Sequence, residues 1–270
     1  MPELPEMDTY RTLLSKNIGG QIITGVTVNR EKSINVPVDH FIDSLLNKKI
    51  IDIKRRGKHL IFILETGKAL LLHLMLGGWM YLGNQNDNPD RTKQIILNFG
   101  DKELYFIGLR LGYLHLHTLE EIDLELSELG PEPLEPSFLL KSFTSLVENK
   151  RGKLKTTLAD QKFIAGIGNC YSDEICFEAG LKPMKQMNDL DVLQVKRLYD
   201  SIRSVLSASI QFGGYMEQPF MKGDTLTGGF DSKCKVYDRE NEPCIRCGNP
   251  IVKIEISSRK CFYCTICQVD

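Results

Sequence analysis

Four of the eight cysteines stand as two close pairs, Cys244-x2-Cys247 and Cys264-x2-Cys267, with sixteen residues between the pairs. Each CxxC turn presents two thiolates to one point, and two such turns supply the ligands of a tetrahedral zinc site. A tail this short cannot bury a core of its own, so one structural zinc ion per chain would provide much of its folding free energy. The pattern carries one ambiguity, because Cys261 also forms a CxxC with Cys264. Disulfides are the other use for such cysteines, and they do not persist in a reducing cytoplasm. That compartment is expected here: the opening Met-Pro-Glu-Leu-Pro-Glu is acidic and lacks the basic-then-apolar plan of a secretory signal. Cys170, Cys176 and Cys234 read as buried small hydrophobes.

Upstream of the tail, 270 residues allow one large or two ordinary domains. Apolar residues make up 42% and charged residues 26%, an ordinary globular balance. No apolar run approaches the ~20 residues of a membrane helix, which excludes the spanning class. Residues 6–15 read as a helix. After Gly19-Gly20 the pattern shifts to short β-branched segments, with strands predicted over 21–28, 50–54, 60–64, 69–74, 94–98 and 103–107. The proline-rich stretch 129–136 stops both helix and strand and marks a boundary. Beyond it the period turns helical over 137–147, 154–160, 171–178 and 189–212, followed by a Gly- and Asp-rich stretch, 213–231, that reads as a mobile loop. The expected architecture is α+β and multidomain: a β-sandwich with a flanking helix over 1–130, a helical region over 131–232, and the cysteine tail over 233–270.

The net charge of −1 argues against a nucleic-acid partner until its distribution is considered. Lys48, Lys49, Lys54, Arg55, Arg56 and Lys58 cluster with Asp52 as the one acid among them, and Lys150, Arg151, Lys153 and Lys155 fall within six residues. A third basic group lies near the C-terminus. The acids Glu120, Glu121, Asp123, Glu125, Glu128, Glu132 and Glu135 form a stretch without a base. Segregation of this kind suits a phosphate-binding surface better than a set of unrelated solvated faces.

Four segments together resemble the formamidopyrimidine-DNA glycosylase and endonuclease VIII family, and the likeness runs the length of the chain. They are the opening Met1-Pro-Glu-Leu-Pro-Glu-Met-Asp-Thr9, the lysine-loop-like Arg55-Arg-Gly-Lys-His59, Gly166-Ile-Gly-Asn-Cys-Tyr-Ser-Asp-Glu174, and Arg259-Lys-Cys-Phe-Tyr-Cys264 followed by Cys267-Gln268. The opening is closer to the formamidopyrimidine branch. The resemblance implies a helix–two-turn–helix domain in the helical region and takes Cys264 with Cys267 as the last zinc knuckle. It implies a bifunctional enzyme of base excision repair that excises oxidised bases and then cuts the strand by β,δ-elimination. Pro2 would be the nucleophile, through a secondary amine exposed when Met1 is removed. Glu3 would protonate the sugar ring oxygen, Lys58 would serve as a general acid, and Arg259 would clamp phosphate. Glu6 is a supporting acid or a helix N-terminal charge. His73, Leu76, Arg110, Leu111, Arg151 and Asn169 would contact double-stranded damaged DNA, with a single chain acting alone and no membrane involved.

Two features depart from the family pattern. Its oxidised-purine members fill the gap left by the extruded base with a methionine, an arginine and a phenylalanine. Here the Arg-Arg-Phe-Gly segment reads Leu109-Arg110-Leu111-Gly112, and the methionine position falls on Leu76 with Met75 beside it. The loop Tyr215-Met-Glu-Gln-Pro-Phe-Met221 is also unusual. A damage-binding protein of the same fold without turnover is the alternative, but binding alone requires no N-terminal amine.

Overall fold

The computed structural model describes residues 1–148 and 150–270. They divide into two compact units, Met1–Ser127 with Met216–Gly229, and Glu128–Tyr215 with Phe230–Asp270.

The first unit opens with α1 (Leu4–Ile18), which starts where local chemistry favours it. Glu3 N–H donates to Glu6 Oε2 at 2.7 Å, and Pro5 sits in the first turn, where a missing N–H costs nothing. Leu4, Met7, Tyr10, Leu14 and Ile18 form its buried stripe. The chain continues through β1 (Gly25–Val28), α2 (Val38–Leu45), β2 (Ile50–Arg56), β3 (His59–Leu64), β4 (Lys68–His73), β5 (Trp79–Gly83), β6 (Lys93–Phe99), β7 (Lys102–Ile107), β8 (Tyr113–Thr118) and α3 (Leu119–Glu125). Two four-stranded antiparallel sheets result, ordered β1-β6-β7-β5 and β2-β3-β4-β8. Alternate residues of both sheets, including Phe62, Leu70, Leu72 and Leu114 from one and Ile95, Leu97, Leu104 and Phe106 from the other, enter one core with α1. Phe62 meets Phe106 edge-on, ring centroids 6.4 Å apart. Burial of such side chains stabilises by roughly 1.5–3 kcal/mol each. This is the expected sandwich with its flanking helix.

Four elements of this unit go beyond the sequence expectation, the short capped α3 among them. β5 is five residues between glycines, too short to show a period. β8 buries Leu114 and Leu116 while Tyr113, His115 and His117 lie on its other face, so its apolar signal rests on two leucines. α2 buries little more than Phe41 and Leu45. The segment Met216–Gly229 packs with this unit rather than with the helices that precede it in sequence. Phe220 is fully buried against Tyr10, with ring centroids 5.8 Å apart, and its carbonyl accepts from Leu82 N–H at 2.7 Å.

The second unit holds α4 (Leu140–Glu148), α5 (Leu154–Leu158), α6 (Asn169–Ala179), α7 (Val192–Gln211) and the hairpin β9 (Val252–Ile256) with β10 (Arg259–Tyr263). Gly180, at φ 68°, ends α6 in the left-handed region that glycine enters without strain. Asp191 and Gln194 cap α7 reciprocally, and Leu198, Ile202, Val205 and Leu206 give it a buried face. Among the described residues, no helix is long and apolar enough to cross a membrane.

Candidate functional site

Pro2, Glu3 and Glu6, all buried, stand at the start of α1, and Lys58, only 5% exposed, occupies the turn between β2 and β3. Charged side chains are seldom buried unless paired or put to use. The Lys58 turn is tied to α1 through its neighbour Arg55. That guanidinium donates from Nη1 to Gly57 O at 3.1 Å and lies with Nε 3.4 Å from Asp8 Oδ1. Arg55, its side chain only 10% exposed, therefore holds the lysine-bearing turn within the protein and stands apart from the phosphate-binding surface expected of the 48–59 run. Behind the turn, His59 and His73 face each other across β3 and β4, ring centroids 4.2 Å apart. Burial, then the neighbouring His73, lowers His59 to about 3, and burial, then Lys58, lowers His73 to about 4. Both rings are neutral at neutral pH.

Two loops of the same unit present exposed apolar side chains, Leu76 at 67% and Leu111 at 63% exposure, while Leu109 is fully buried and Arg110 exposed. Met75 is half-buried at φ 55°, so Leu76 is the residue of that pair that projects. Glycine is required where the loops meet. A Cβ on Gly108, at φ +72°, would lie 2.0 Å from Gly77 O, and one on Gly112 would lie 2.4 Å from His73 O. Arg30 pins the second loop, donating to Leu109 O at 3.3 Å and to Arg110 O at 3.2 Å. A cleft of about 350 Å³ opens between the loops, lined by Leu76, Trp79, Arg91, Gln94, Ile107 and Arg110. A second hollow shares Gly77, Trp79 and Arg91 and reaches Met216 and Gln218 of the unusual loop. Sequence reasoning missed Arg30, Trp79 and Arg91. A lone tryptophan after two glycines was the one signal available; Arg30 offers none, because the loop carbonyls it holds lie about eighty residues away.

In the second unit, Asn169 is the first residue of α6, and Arg259 begins β10. Arg259 Nη1 donates to Asn169 Oδ1 at 3.4 Å, so two expected phosphate contacts meet at a helix N-terminus, where backbone N–H groups favour anions. Beneath them lies a pair the sequence did not disclose. Lys155 is fully buried, with Nζ 2.8 Å from Asp173 Oδ1 and donating to Asn169 O at 2.6 Å. Burial raises the Asp173 carboxyl to about 7, opposed by Lys155. Lys155 therefore leaves the expected phosphate surface, and Lys150 is engaged with Asp160 at 2.7 Å; Arg151 and Lys153 are the exposed members of that run.

The Sγ atoms of Cys244, Cys247, Cys264 and Cys267 lie within 4.8 Å of one another, with Cys244–Cys267 at 3.8 Å and Cys247–Cys264 at 3.5 Å. Tetrahedral zinc with bonds of about 2.3 Å spaces its sulfurs by ~3.8 Å, so the donor set fits a structural zinc ion. Cys261 is buried within β10 outside this group, which resolves the ambiguous knuckle. Phe177, Val236, Ile251 and Phe262 pack around the ligands and form the core that this segment lacks in sequence.

Residues 1–113 match the formamidopyrimidine-DNA glycosylase N-terminal domain, 129–219 the formamidopyrimidine-DNA glycosylase H2TH domain, and 241–269 the zinc finger found in FPG and IleRS. A formamidopyrimidine-DNA glycosylase of Listeria monocytogenes is 35% identical, covering 99% of this chain and 100% of its own. One of Pelotomaculum thermopropionicum is also 35% identical, covering 99% of each. Among solved structures, the complex of the Lactococcus lactis Fpg with an abasic site containing DNA has a TM-score of 0.92 at 30% identity, covering 99% of this chain and 100% of that one. A complex of a mutant of the same protein with Fapy-dG containing DNA gives 0.92 at 30% identity over the whole of both chains. On these likenesses, and on a sandwich, a helical unit and a four-cysteine centre in the matching order, the chain belongs to the formamidopyrimidine-DNA glycosylase family.

Proposed function

We propose that this DNA glycosylase of base excision repair excises oxidised bases from damaged duplex DNA through Pro2 and cleaves the strand at the resulting site. The observation that carries the reading is the burial of Pro2, Glu3 and Lys58 within one unit, with the Lys58 turn tied by Arg55 to the helix that follows Pro2 and Glu3. Once Met1 is removed, Pro2 bears a secondary amine. An α-amino group titrates near ~8, so a usable fraction is unprotonated at neutral pH. Its lone pair attacks the sugar C1′, the bond from C1′ to the base breaks, and an iminium joins protein and sugar. Glu3 supplies the proton to the ring oxygen as the sugar opens, and Lys58 supplies one to the departing base. The iminium then withdraws electrons while the 3′ and 5′ phosphates leave in turn.

In the second unit, the Asn169–Arg259 pair at the start of α6 is suited to grip a backbone phosphate. Arg151 adds a further phosphate contact. In the first unit, Leu76, Arg110 and Leu111 occupy the space vacated by the extruded base, and His73, half-buried against His59, is the remaining DNA contact. The enzyme works as a single chain in the cytoplasm; every proposed catalytic group comes from one copy.

Borohydride trapping tests the reading. With duplexes carrying 8-oxoguanine, formamidopyrimidine, thymine glycol or an abasic site, the reduced adduct is expected on the N-terminal peptide, which begins at Pro2 by mass spectrometry. An adduct on Lys58, or undiminished trapping by Pro2→Gly, overturns the assignment of the nucleophile.

A further inference from the structure

The acidic stretch of the sequence supplies none of the DNA contacts proposed above, and its first turns meet two histidines. We propose that His115, His117 and Glu125 form a second metal site, separate from the cysteine centre, for a divalent transition cation of the zinc class. His115 and His117 alternate on β8 and so share one face of the strand. The chain turns directly into α3, where Thr118 Oγ1 accepts from Glu121 N–H at 3.2 Å and fixes the helix against the strand. Glu125, at the far end of α3, thereby returns to the histidines. One donor atom from each of the three residues lies within 4.8 Å of the others.

Three details favour a cation over a simple ion pair. His117 Nε2 lies 3.2 Å from Glu125 Oε2, near the ~3.4 Å edge of a tetrahedron with bonds of about 2.0–2.2 Å. Yet that nitrogen is buried and makes no hydrogen bond, so the ring does not aim its proton at the carboxylate. On the other side of the ring, Glu121 Oε2 lies 3.6 Å from His117 Nδ1, beyond hydrogen-bond reach but on the side from which a carboxylate orients a metal-binding imidazole. Tyr113 O–H donates to Glu125 Oε1 at 3.1 Å and its ring stacks on His115 with centroids 4.1 Å apart, so two of the three ligands are held in place. Two imidazoles and one carboxylate suit zinc, cobalt, nickel or copper rather than calcium or magnesium. Glu120, Glu121 and Asp123 add negative charge that draws a cation in. A bound ion would clamp α3 to β8, whose first residue follows Leu111-Gly112 directly.

The test is calorimetric titration of Zn2+ into full-length protein that already carries its one cysteine-bound zinc. A second equivalent is expected to bind, and to raise the thermal unfolding midpoint as any ligand of the folded state does. Glu125→Gln, at a partly exposed position where folding is least at risk, is expected to weaken that binding roughly tenfold or more, as is His115→Gln. His40→Gln, at an exposed histidine elsewhere in the unit, should leave it unchanged. Far-UV circular dichroism and retention of the first zinc establish that each variant is folded. No second equivalent up to about 1 mM zinc, or undiminished binding by Glu125→Gln and His115→Gln, overturns the site.

Discussion

Leu111 is the residue at which a single side chain should alter substrate choice. It stands exposed on a loop that Arg30 and two glycines hold rigidly, so a replacement there acts through what it touches rather than through the fold. Extruding a base leaves neighbours unstacked, at a cost of a few kcal/mol. An aromatic ring recovers about 1–3 kcal/mol by stacking, whereas leucine fills volume without a π face. An intact 8-oxoguanine paired with cytosine bears that cost in full, and an abasic site has no base to extrude. Leu111→Phe is therefore expected to raise single-turnover excision of 8-oxoguanine by roughly tenfold, the equivalent of 1.4 kcal/mol, with a smaller effect on abasic-site cleavage. Equal gains on both substrates would show that the loop does not act as a stacking wedge.

Two element-level arrangements place titratable groups where solvent is excluded. In the β3–β4 hairpin, His59 and His73 titrate near 3 and 4, below the ordinary 6.5, because burial disfavours the charged rings. The unfolded chain therefore takes up protons first as pH falls. The resulting stability is complete above about pH 6.5 and is lost progressively toward pH 4 and then 3. Urea midpoints should fall between pH 7.5 and 5, and His73→Phe should reduce that fall; an unchanged pH dependence would exclude the pair as its source. Between α5 and α6, Lys155 and Asp173 make a fully buried ion pair that also carries the Asn169 carbonyl. Removing one partner of such a pair costs about 3–5 kcal/mol, because the other charge is left without compensation. Lys155→Met should destabilise the second unit by about that amount in urea unfolding, and Lys155→Met with Asp173→Asn should recover much of it. A double variant as unstable as the sum of the two singles would show the pair to be uncoupled.

At the scale of the whole molecule, the cysteine centre is the core of its segment as well as its metal site, since the apolar residues around it pack against the ligands themselves. Arg259 stands on the hairpin next to that centre, so loss of zinc should release a proposed phosphate contact while the sandwich, with its own core, remains folded. Trp79 is the one tryptophan in the chain and lies in the first unit, so its fluorescence reports on the sandwich alone. Stepwise chelation should abolish DNA binding, followed by anisotropy, before Trp79 emission changes. Cys267→Ser should bind no zinc, and Cys261→Ser should bind one equivalent; the reverse would move the last knuckle to Cys261. Simultaneous loss of binding and of Trp79 signal would mean that the sandwich depends on the metal.

The two CxxC pairs, the strands β1–β4, β6 and β7 and the helices α1 and α4–α7 were legible in the sequence, because each follows from chemistry within a few residues, whereas α2, α3, β5 and β8 were not. Two cysteines three apart converge whatever surrounds them, and Glu6 closes the N-terminus of a helix that begins at Leu4 with Pro5 in its first turn. The phosphate surface was legible only in part. Charge runs record composition and not direction, so nothing local distinguished exposed Arg151 from buried Lys155, or told that Arg55 would turn to Asp8. Arg30 at the base of the Leu111 loop, Phe220 in the sandwich core and the His115–His117–Glu125 cluster were likewise decided by the tertiary structure. In each, a group meets partners remote in sequence or on another element, and its charge or ring takes its character from the burial that only the folded chain supplies.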